Sequence, residues 1–271
     1  MRKLAIAALL TAVSGAALTG TAAAGEAAEP TVDMEAVVKA AMWDPYKPDQ
    51  SVTPGSGPSV ELVEQALASK DLLADKYVDG HFGTTTVDAY AEYQRSLGYE
   101  GLAASGLPGK GSLAELGTGR YELTAIIDVG TKTTMDGETV NMRTKEMVEA
   151  GEKRAGMDFT VTQGSYNPGG VGASGGTHDG GGAVDISVRG IDPETAVKAL
   201  RQVGFAAWHR TPDQGDWAAH IHAIAISDTD MSPQAQAQAG DYFLGRNGLA
   251  DHGKDDGPQV EKVTWEEYRR G

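Results

Sequence analysis

The sequence has no cysteine, few basic residues and no long apolar run. Without cysteine the chain cannot form disulfide bonds, so its domains must be held together by packing, helped by any metal they bind. Lysine and arginine number 23 against 38 acidic residues, and the net charge of −15 argues against a nucleic-acid partner. The 40% hydrophobic content excludes a wholly disordered chain, and 271 residues are typical of one or two globular domains in a soluble protein.

The amino terminus carries a strongly apolar stretch at residues 4–13. This is too short for the roughly 20 residues that cross a bilayer, so we expect no membrane anchor. Two basic residues precede the stretch, and Ala22 and Ala24 follow it in the pattern of a cleavage site. Residues 1–24 are therefore predicted to be a secretory signal peptide. The mature protein is expected to be extracellular or in the cell wall, without membrane contact, and nothing in the sequence demands more than a monomer.

Composition divides the mature chain into four segments. Residues 25–56 are predicted to be a linker, because the stretch DPYKPDQSVTPGSGP at residues 44–58 is rich in proline. Residues 57–118 show helical spacing of apolar residues and predict a small three-helix domain. Residues 121–250 mix helix and strand patterns, and residues 251–271 are predicted to be a polar tail. These patterns predict an α+β or α/β fold for the second domain, and we expect α+β, with a helical domain followed by a domain built on a central antiparallel sheet.

Within the second domain, six features are predicted from local patterns. These are a helix from Val140 to Ala155 with Met142, Met147 and Val148 facing inward, a strand at Phe159 to Thr162, a glycine-rich functional loop at 164–182, strands at AVDISV and His220 to Ile226, and a helix opened by Asp192 and Pro193.

Three of these segments carry residues suited to metal binding. In the strand HIHAIAI, His220 and His222 face the same side, because side chains on a strand repeat their direction every second residue. Asp185 projects from the apolar strand AVDISV, where a buried carboxylate needs a partner or a metal. Together with His178 in the glycine-rich loop, these residues could supply two imidazoles and one carboxylate, a common set of ligands for catalytic zinc.

The run THDGGGAVD places His178, Gly181, Ala183 and Asp185 in an H-x-x-G-x-A-x-D pattern. This pattern and the later HIH resemble the motifs of zinc D-alanyl-D-alanine peptidases, a group that shares its metal fold with lysostaphin-like peptidases and the Hedgehog signalling domain. The resemblance implies a zinc peptidase of peptidoglycan, either a carboxypeptidase or a cross-link endopeptidase.

By position, the resemblance implies that His178, Asp185 and His222 are the zinc ligands. It gives His220 the place of an imidazole that supports the transition state. The proton-transferring acid of these peptidases lies three or six residues before the last ligand, which favours Asp216 as the general base, with His220 as the competing candidate. Two features of the peptidase pattern are absent from this chain. Gly176 stands where many of these peptidases have serine. Near Gln163 the chain lacks the arginine with which these peptidases bind a substrate carboxylate.

The first domain also resembles a known module. The residues Val78, Asp79, Gly80, Phe82, Gly83, Thr86 and Ala89, followed by Tyr93 and Gln94, are similar to the DGxFGxxT pattern of three-helix peptidoglycan-binding domains. This resemblance covers about residues 57–118 and implies peptidoglycan as the partner. Two other interpretations remain open: a cell-wall-binding protein with an inactive zinc site, and a structural wall protein without metal.

Overall fold

The computed structural model describes residues 29–271, so the predicted signal peptide at 1–24 lies outside the described residues. The helices are α1 (Met34–Trp43), α2 (Gly57–Ala68), α3 (Thr84–Ser96), α4 (Lys110–Gly117), α5 (Met142–Ala155), α6 (Pro193–Gln202), α7 (Pro233–Phe243) and α8 (Trp265–Arg270). The strands are β1 (Thr31–Asp33), β2 (Glu122–Thr124), β3 (Lys132–Met135), β4 (Glu138–Asn141), β5 (Val161–Gln163), β6 (Ala183–Ser187), β7 (Phe205–Arg210) and β8 (His220–Ala225). The mixture of helix and strand agrees with the predicted α+β class. Over the described range, no helix is both long and apolar enough to span a membrane.

The largest sheet has four strands in the order β5-β6-β8-β7, and every neighbouring pair is antiparallel. Strand β8 lies between β6 and β7, so its side chains have a neighbour on each side. Asp185 on β6 and Trp208 on β7 both lie opposite His222 on β8. His220 lies between Ser187 and Arg210 in the same way. The register therefore brings polar residues from three strands to one end of one face.

Both faces of this sheet are packed. Val184 and Ile186 of β6 belong to a hydrophobic cluster with residues of α5 and α6. Ala183 and Trp208 face the other way and belong to a second cluster with residues of α1 and α7. The polar residues opposite His220 and His222 continue this second face beyond its apolar part.

Local sequence signals set several boundaries. Asp192 caps α6 by accepting a hydrogen bond from the Thr195 backbone N–H at 2.9 Å, as predicted. Helix α5 begins at Met142 rather than at Val140, because Asn141 is its N-cap and the preceding residues form β4. Met142 therefore lies in the first turn and is 36% exposed, so its predicted inward orientation is wrong.

The segment predicted to be a linker, residues 25–56, contains β1 and α1 in its described part. Seven of the ten residues of α1 are buried, which is typical of a helix enclosed on most sides rather than of a connection. Trp43 at its end stacks on Phe243 of α7 with ring centroids 4.3 Å apart. The proline-rich stretch is ordered by Asp44, whose buried carboxylate accepts hydrogen bonds from the backbone of Thr53 and Phe82. Apolar packing thus corrects the linker prediction.

The segment predicted to be a polar tail, residues 251–271, also packs against the rest of the chain. Asp255 is buried and forms an ion pair of 2.9 Å with Arg201. Thr264 and Glu267 form a capping box for α8, and Trp265 is buried in the cluster beneath the sheet. These contacts correct the prediction, since only part of the segment is exposed.

Helices α2 to α4, called the helical unit below, lie within the predicted range 57–118. Their turn is organised by Glu64, a fully buried carboxylate that accepts hydrogen bonds from the Asp79 and Gly80 backbone and from the Thr86 hydroxyl. Gly80 has a φ of +76° and packs within close contact of Gly57, which explains why glycine is needed there. The hydrophobic cluster of the helical unit continues through α1 into the sheet. The two predicted domains therefore share one core.

Candidate metal centre

His178, Asp185 and His222 meet at the polar end of the sheet, and we call them the His/Asp cluster. Oδ1 of Asp185 lies 2.7 Å from Nδ1 of His222 and 3.3 Å from Nε2 of His178. The two imidazole nitrogens are 3.4 Å apart. His178 and His222 are buried, and Asp185 is nearly so. The structure thus brings together the three residues that the sequence analysis predicts as metal ligands.

The protonation of His222 follows from its outer contacts. Nε2 of Gln238 donates to the Gly248 carbonyl at 2.9 Å, which fixes the amide so that its Oε1 faces His222. This Oε1 lies 2.7 Å from Nε2 of His222 and can only accept, so the proton of a neutral His222 is on Nε2. Nδ1 of His222 then presents a lone pair to Asp185.

His178 is also oriented by a contact of the ring nitrogen that faces away from Asp185. Its Nδ1 lies 2.8 Å from the Gly164 carbonyl, which can only accept, so Nε2 is left as the unprotonated nitrogen. Gly164 reaches this position because its backbone packs directly on the Thr139 carbonyl, where a side chain would clash. Two lone pairs and one carboxylate oxygen therefore face one another inside the protein.

Three acceptor atoms at these distances are arranged so that they could share a cation. In a tetrahedral zinc site with bonds of about 2.0–2.1 Å, neighbouring ligand atoms are roughly 3.3–3.4 Å apart. Two of the three separations in the His/Asp cluster have that value, and the Asp185 to His222 separation is shorter. The outer hydrogen bonds from both imidazoles are also those that metal-binding histidines need. The donor set therefore fits a zinc ion.

The surroundings of Asp185 and His222 favour the protonation states in which these residues can bind a metal. Burial acts to raise the pKa of Asp185, but a proton on the ring of His178 or His222 favours the ionised carboxylate more strongly, and the pKa lies well below its usual range. Burial lowers the pKa of His222, with a smaller opposing effect from Asp185. An ionised carboxylate and a neutral imidazole are the forms that bind metals.

His220 lies beside the His/Asp cluster without joining it. Its Nε2 is 3.8 Å from Oδ1 of Asp185, and its Nδ1 lies 2.8 Å from the Ala218 carbonyl. The side chain is partly exposed and its ring is next to Trp217, with centroids 6.3 Å apart. An imidazole in this position can exchange protons with a molecule bound in the cavity.

The other predicted proton-transfer residue, Asp216, is exposed and does not line the cavity around the His/Asp cluster. Asp185 is the single acidic residue among the described residues that line it. Of the two candidates for the base, the geometry therefore brings only His220 to the cavity.

The cavity itself has a volume of about 520 Å³, within the range of small-molecule sites. Trp217 lines it, whereas Trp208 is buried and belongs to the core. Ser187 also lines it but accepts a hydrogen bond from the Arg189 backbone instead of supporting Asp185. The glycine-rich loop contributes one wall of the cavity, with Thr177 among its residues.

Sequence reasoning missed two residues of the site, Gln238 and Arg210. Both are held by a short segment, residues 246–248, that we call the carbonyl loop. Its three consecutive carbonyl oxygens accept hydrogen bonds from the side chains of Trp208 (3.2 Å), Arg210 (2.7 Å) and Gln238 (2.9 Å). The sequence patterns predict neither β7 nor α7, so no local signal selects these two side chains.

Comparison of the chain with protein-family models, with curated proteins and with solved structures finds no match in any of the three.

Proposed function

We propose that the protein is a secreted, zinc-dependent peptidase that acts on peptidoglycan peptides. The observation that carries the proposal is the His/Asp cluster, in which three acceptor atoms face one another with their outer contacts already satisfied. The sequence motifs around His178 and His222, and the resemblance they bear to D-alanyl-D-alanine peptidases, support the same reaction.

In the proposed hydrolysis, the metal ion and the side chains of the protein have different roles. His178, Asp185 and His222 would hold the zinc ion, which would supply a Lewis acid for the carbonyl oxygen and for water. In hydrolysis the water oxygen bonds to the carbonyl carbon, the C–N bond breaks and the amine leaves with an added proton. His220 is the residue placed to accept the proton from water and return it to the amine, because its Nε2 faces the cluster while Nδ1 contacts the Ala218 carbonyl.

Peptidoglycan as the substrate rests on the helical unit and on the predicted signal peptide. The residues of the DGxFGxxT pattern build the turn around Glu64 in this structure, so their visible role is architectural. The shared core fixes the helical unit close to the peptidase sheet. A wall-binding helical unit would therefore hold the cavity near the polymer and raise the local concentration of scissile bonds.

The proposal is tested with the mature chain loaded with zinc. Metal analysis is expected to give one zinc per chain, and defined muropeptides are expected to yield products with new amino groups, identified by mass spectrometry. His220→Gln is expected to keep zinc and lose most of the release. Asp216→Asn is the matched control and is expected to keep the release. Loss of activity in Asp216→Asn instead would return the role of base to that residue.

A second candidate, a wall-binding protein with an inactive zinc site, is favoured by one observation. Among the described residues that line the cavity, no carboxylate besides Asp185 is present to act as a base. A chain that binds zinc and peptidoglycan sacculi but releases no amino groups would support this second function over the first. A chain that binds no zinc at all would reject both.

A further inference from the structure

The carbonyl loop contains an asparagine followed by a glycine, Asn247 and Gly248. In this sequence the backbone nitrogen of the glycine can attack the side-chain amide of the asparagine, because no side chain shields that nitrogen. The chain has three asparagines, and the other two are poorly suited to this reaction. Asn141 is fully buried as the N-cap of α5, and Asn167 precedes a proline, which has no N–H.

The backbone nitrogen of Gly248 lies in a peptide group that is arranged to lose a proton. Among the described residues, none accepts a hydrogen bond from its N–H. The Asn247 carbonyl oxygen belongs to the same peptide group and accepts a hydrogen bond of 2.7 Å from Nη1 of Arg210. Loss of the N–H proton would place negative charge on this oxygen by resonance, and a guanidinium hydrogen bond stabilises such a charge.

The charge of Arg210 is not offset by an acid. Of the three arginines that are buried in the described part of the chain, Arg143 pairs with Glu266 and Arg201 pairs with Asp255. No carboxylate of the described residues lies within ion-pair distance of Arg210. Burial lowers the pKa of Arg210 only to about 10, so the guanidinium remains charged at neutral pH. Its full charge therefore acts on the Asn247 peptide group.

The side-chain amide of Asn247 is held beside the same peptide group. Its Oδ1 accepts a hydrogen bond of 3.0 Å from the Leu249 backbone N–H, and its Nδ2 donates to Asp251 at 3.0 Å. The ring closed by the Leu249 hydrogen bond contains both Cγ of Asn247 and the nitrogen of Gly248. The same N–H faces the oxygen on which charge develops when Cγ is attacked. Asn247 is half-buried and lines a second cavity of about 380 Å³, so water can reach it.

We infer that Asn247 and Gly248 form a self-modification site, at which the folded chain converts Asn247 to aspartate or isoaspartate without an enzyme. The Gly248 nitrogen gives its proton to solvent and bonds to Cγ of Asn247, the Cγ–Nδ2 bond breaks, and Nδ2 takes a proton from water and leaves as ammonia. Water then opens the resulting succinimide ring at one of its two carbonyl carbons.

The structure favours isoaspartate among the two products. Opening at the main-chain carbonyl carbon leaves the Gly248 nitrogen bonded to Cγ, so the backbone becomes longer by one carbon atom. The carboxylate that forms replaces the Asn247 carbonyl beside Arg210. This product therefore supplies the buried guanidinium with the acid that it lacks.

The modification is expected to weaken metal binding, and this consequence rests on the proposed zinc site. The longer backbone displaces the Gly248 carbonyl, which holds Gln238, and Gln238 contacts His222. Loss of such an outer contact usually lowers metal affinity by roughly tenfold to a hundredfold. Zinc affinity should therefore fall irreversibly as the chain ages.

The first test follows the full mature chain during storage in mildly alkaline buffer. Peptide mass spectrometry is expected to show the Asn247 peptide losing the mass of ammonia and then gaining that of water, while the Asn141 and Asn167 peptides stay unchanged. Asn247→Gln should block the reaction, because its longer side chain would have to close a larger ring. Arg210→Gln should slow it by roughly tenfold, the usual worth of a charged hydrogen bond. Arg189→Gln, at an exposed position of the same cavity, should leave the rate unchanged.

A comparison of folded and unfolded chains distinguishes a site built by the fold from the ordinary reactivity of the sequence. We expect the folded chain to react faster than the same chain unfolded in urea, because the contacts of Arg210 and Leu249 exist only in the fold. An equal or slower reaction in the folded chain overturns the inference without any variant. An unchanged rate in Arg210→Gln overturns it as well, once circular dichroism shows that this variant is folded.

The second test concerns the metal. Ion exchange separates the modified chain, which has gained one negative charge, and chelator competition is expected to show zinc affinity roughly tenfold below that of the unmodified chain. Asn247→Asp carries the charge without the longer backbone and should keep most of the affinity. Equal affinity of both fractions overturns the link to His222, whose imidazole NMR signals in the zinc-free chain report the same displacement. A chain that binds no zinc in either form would reject the zinc site and leave the modification site standing.

Discussion

Two buried carboxylates, Glu64 in the helical unit and Asp185 at the end of the sheet, show how a structural acid differs from a binding site. Glu64 is surrounded by donors, two backbone N–H groups and one hydroxyl, which satisfy it without any charge. Asp185 is surrounded by imidazoles whose available protons already point outward to Gly164 and Gln238. The hydrogen bonds of Glu64 are satisfied within the chain, whereas Asp185 faces two ring nitrogens that could hold a metal ion together with it.

The pKa values of the two acids separate in the same way. Burial raises the pKa of Glu64 to about 7, because the neutral donors around it offset only part of the desolvation. The pKa of Asp185 is lowered, because a proton on either neighbouring histidine favours the ionised carboxylate by more than burial opposes it. Burial alone therefore does not identify a functional acid, and the kind of atom that faces it does.

The largest expected effect is on stability, and it comes from a substitution that removes packing between α1 and α7. Trp43→Ala removes the ring that stacks on Phe243 and should lower the free energy of unfolding by about 3–5 kcal/mol. Because the core is shared, a single unfolding transition should shift. Val52→Ala, at an exposed position of the same predicted linker, is the control and should change stability by less than about 0.5 kcal/mol. Chemical denaturation followed by fluorescence measures both, and equal stability of the two variants would contradict a packed α1.

The next largest expected effect is on zinc affinity, which should distinguish Asp185 from Glu64. Asp185→Asn removes one ligand and its charge, so zinc affinity should fall by roughly a hundredfold or more. Glu64→Gln should leave zinc affinity unchanged, because Glu64 makes its contacts within the helical unit. Competition with a coloured chelator measures the affinities. Similar zinc affinity in Asp185→Asn and wild type would show that the His/Asp cluster is not the metal site.

A smaller effect on zinc affinity is expected from the contacts that surround the His/Asp cluster. Gln238→Met keeps the volume but removes the acceptor that fixes His222, so zinc affinity should fall by roughly tenfold to a hundredfold. Gln234→Met, an exposed change one turn earlier on α7, is the matched control. The same chelator competition applies. An unchanged affinity in Gln238→Met would mean that the hydrogen bond does not orient the ligand.

The smallest effect concerns pH and the helical unit. Because the pKa of Glu64 is about 7 in the folded chain and near 4.5 in the unfolded chain, folding favours the protonated form. Its contribution to stability is full below about pH 4.5 and is lost as the pH rises through 7, with an effect on the order of 1 kcal/mol. Glu64→Gln should flatten this part of the pH profile. Denaturation of the zinc-free chains at several pH values measures the difference, and parallel profiles would contradict it.

The sequence predicted much of the site because periodicity on a strand is a local property. The alternation in HIHAIAI and AVDISV fixes which side chains share a face, and the antiparallel pairing of β6 with β8 then places Asp185 opposite His222. The N-cap at Asp192 is local as well, and it was predicted correctly. The zinc peptidase function itself stays a prediction.

Contacts between distant parts of the chain could not be predicted in this way. The prolines after Trp43 indicated a linker, although the apolar residues before them pack on a helix about 200 positions later. Gln238 lies among alternating alanines and glutamines, where no pattern marks one glutamine as the partner of His222. The position of Asp216 six residues before His222 suggested a base, but distance along a loop does not determine where a side chain points.

The carbonyl loop has a consequence for how the site comes into being. Residues 246–248 contact none of His178, Asp185 and His222, yet the Gly248 carbonyl holds Gln238, whose amide oxygen contacts His222. A fragment cut before position 246 would keep the three residues of the His/Asp cluster but would lose the contact that fixes Gln238. The geometry at His222 therefore depends on a segment that supplies no ligand atom to the cluster.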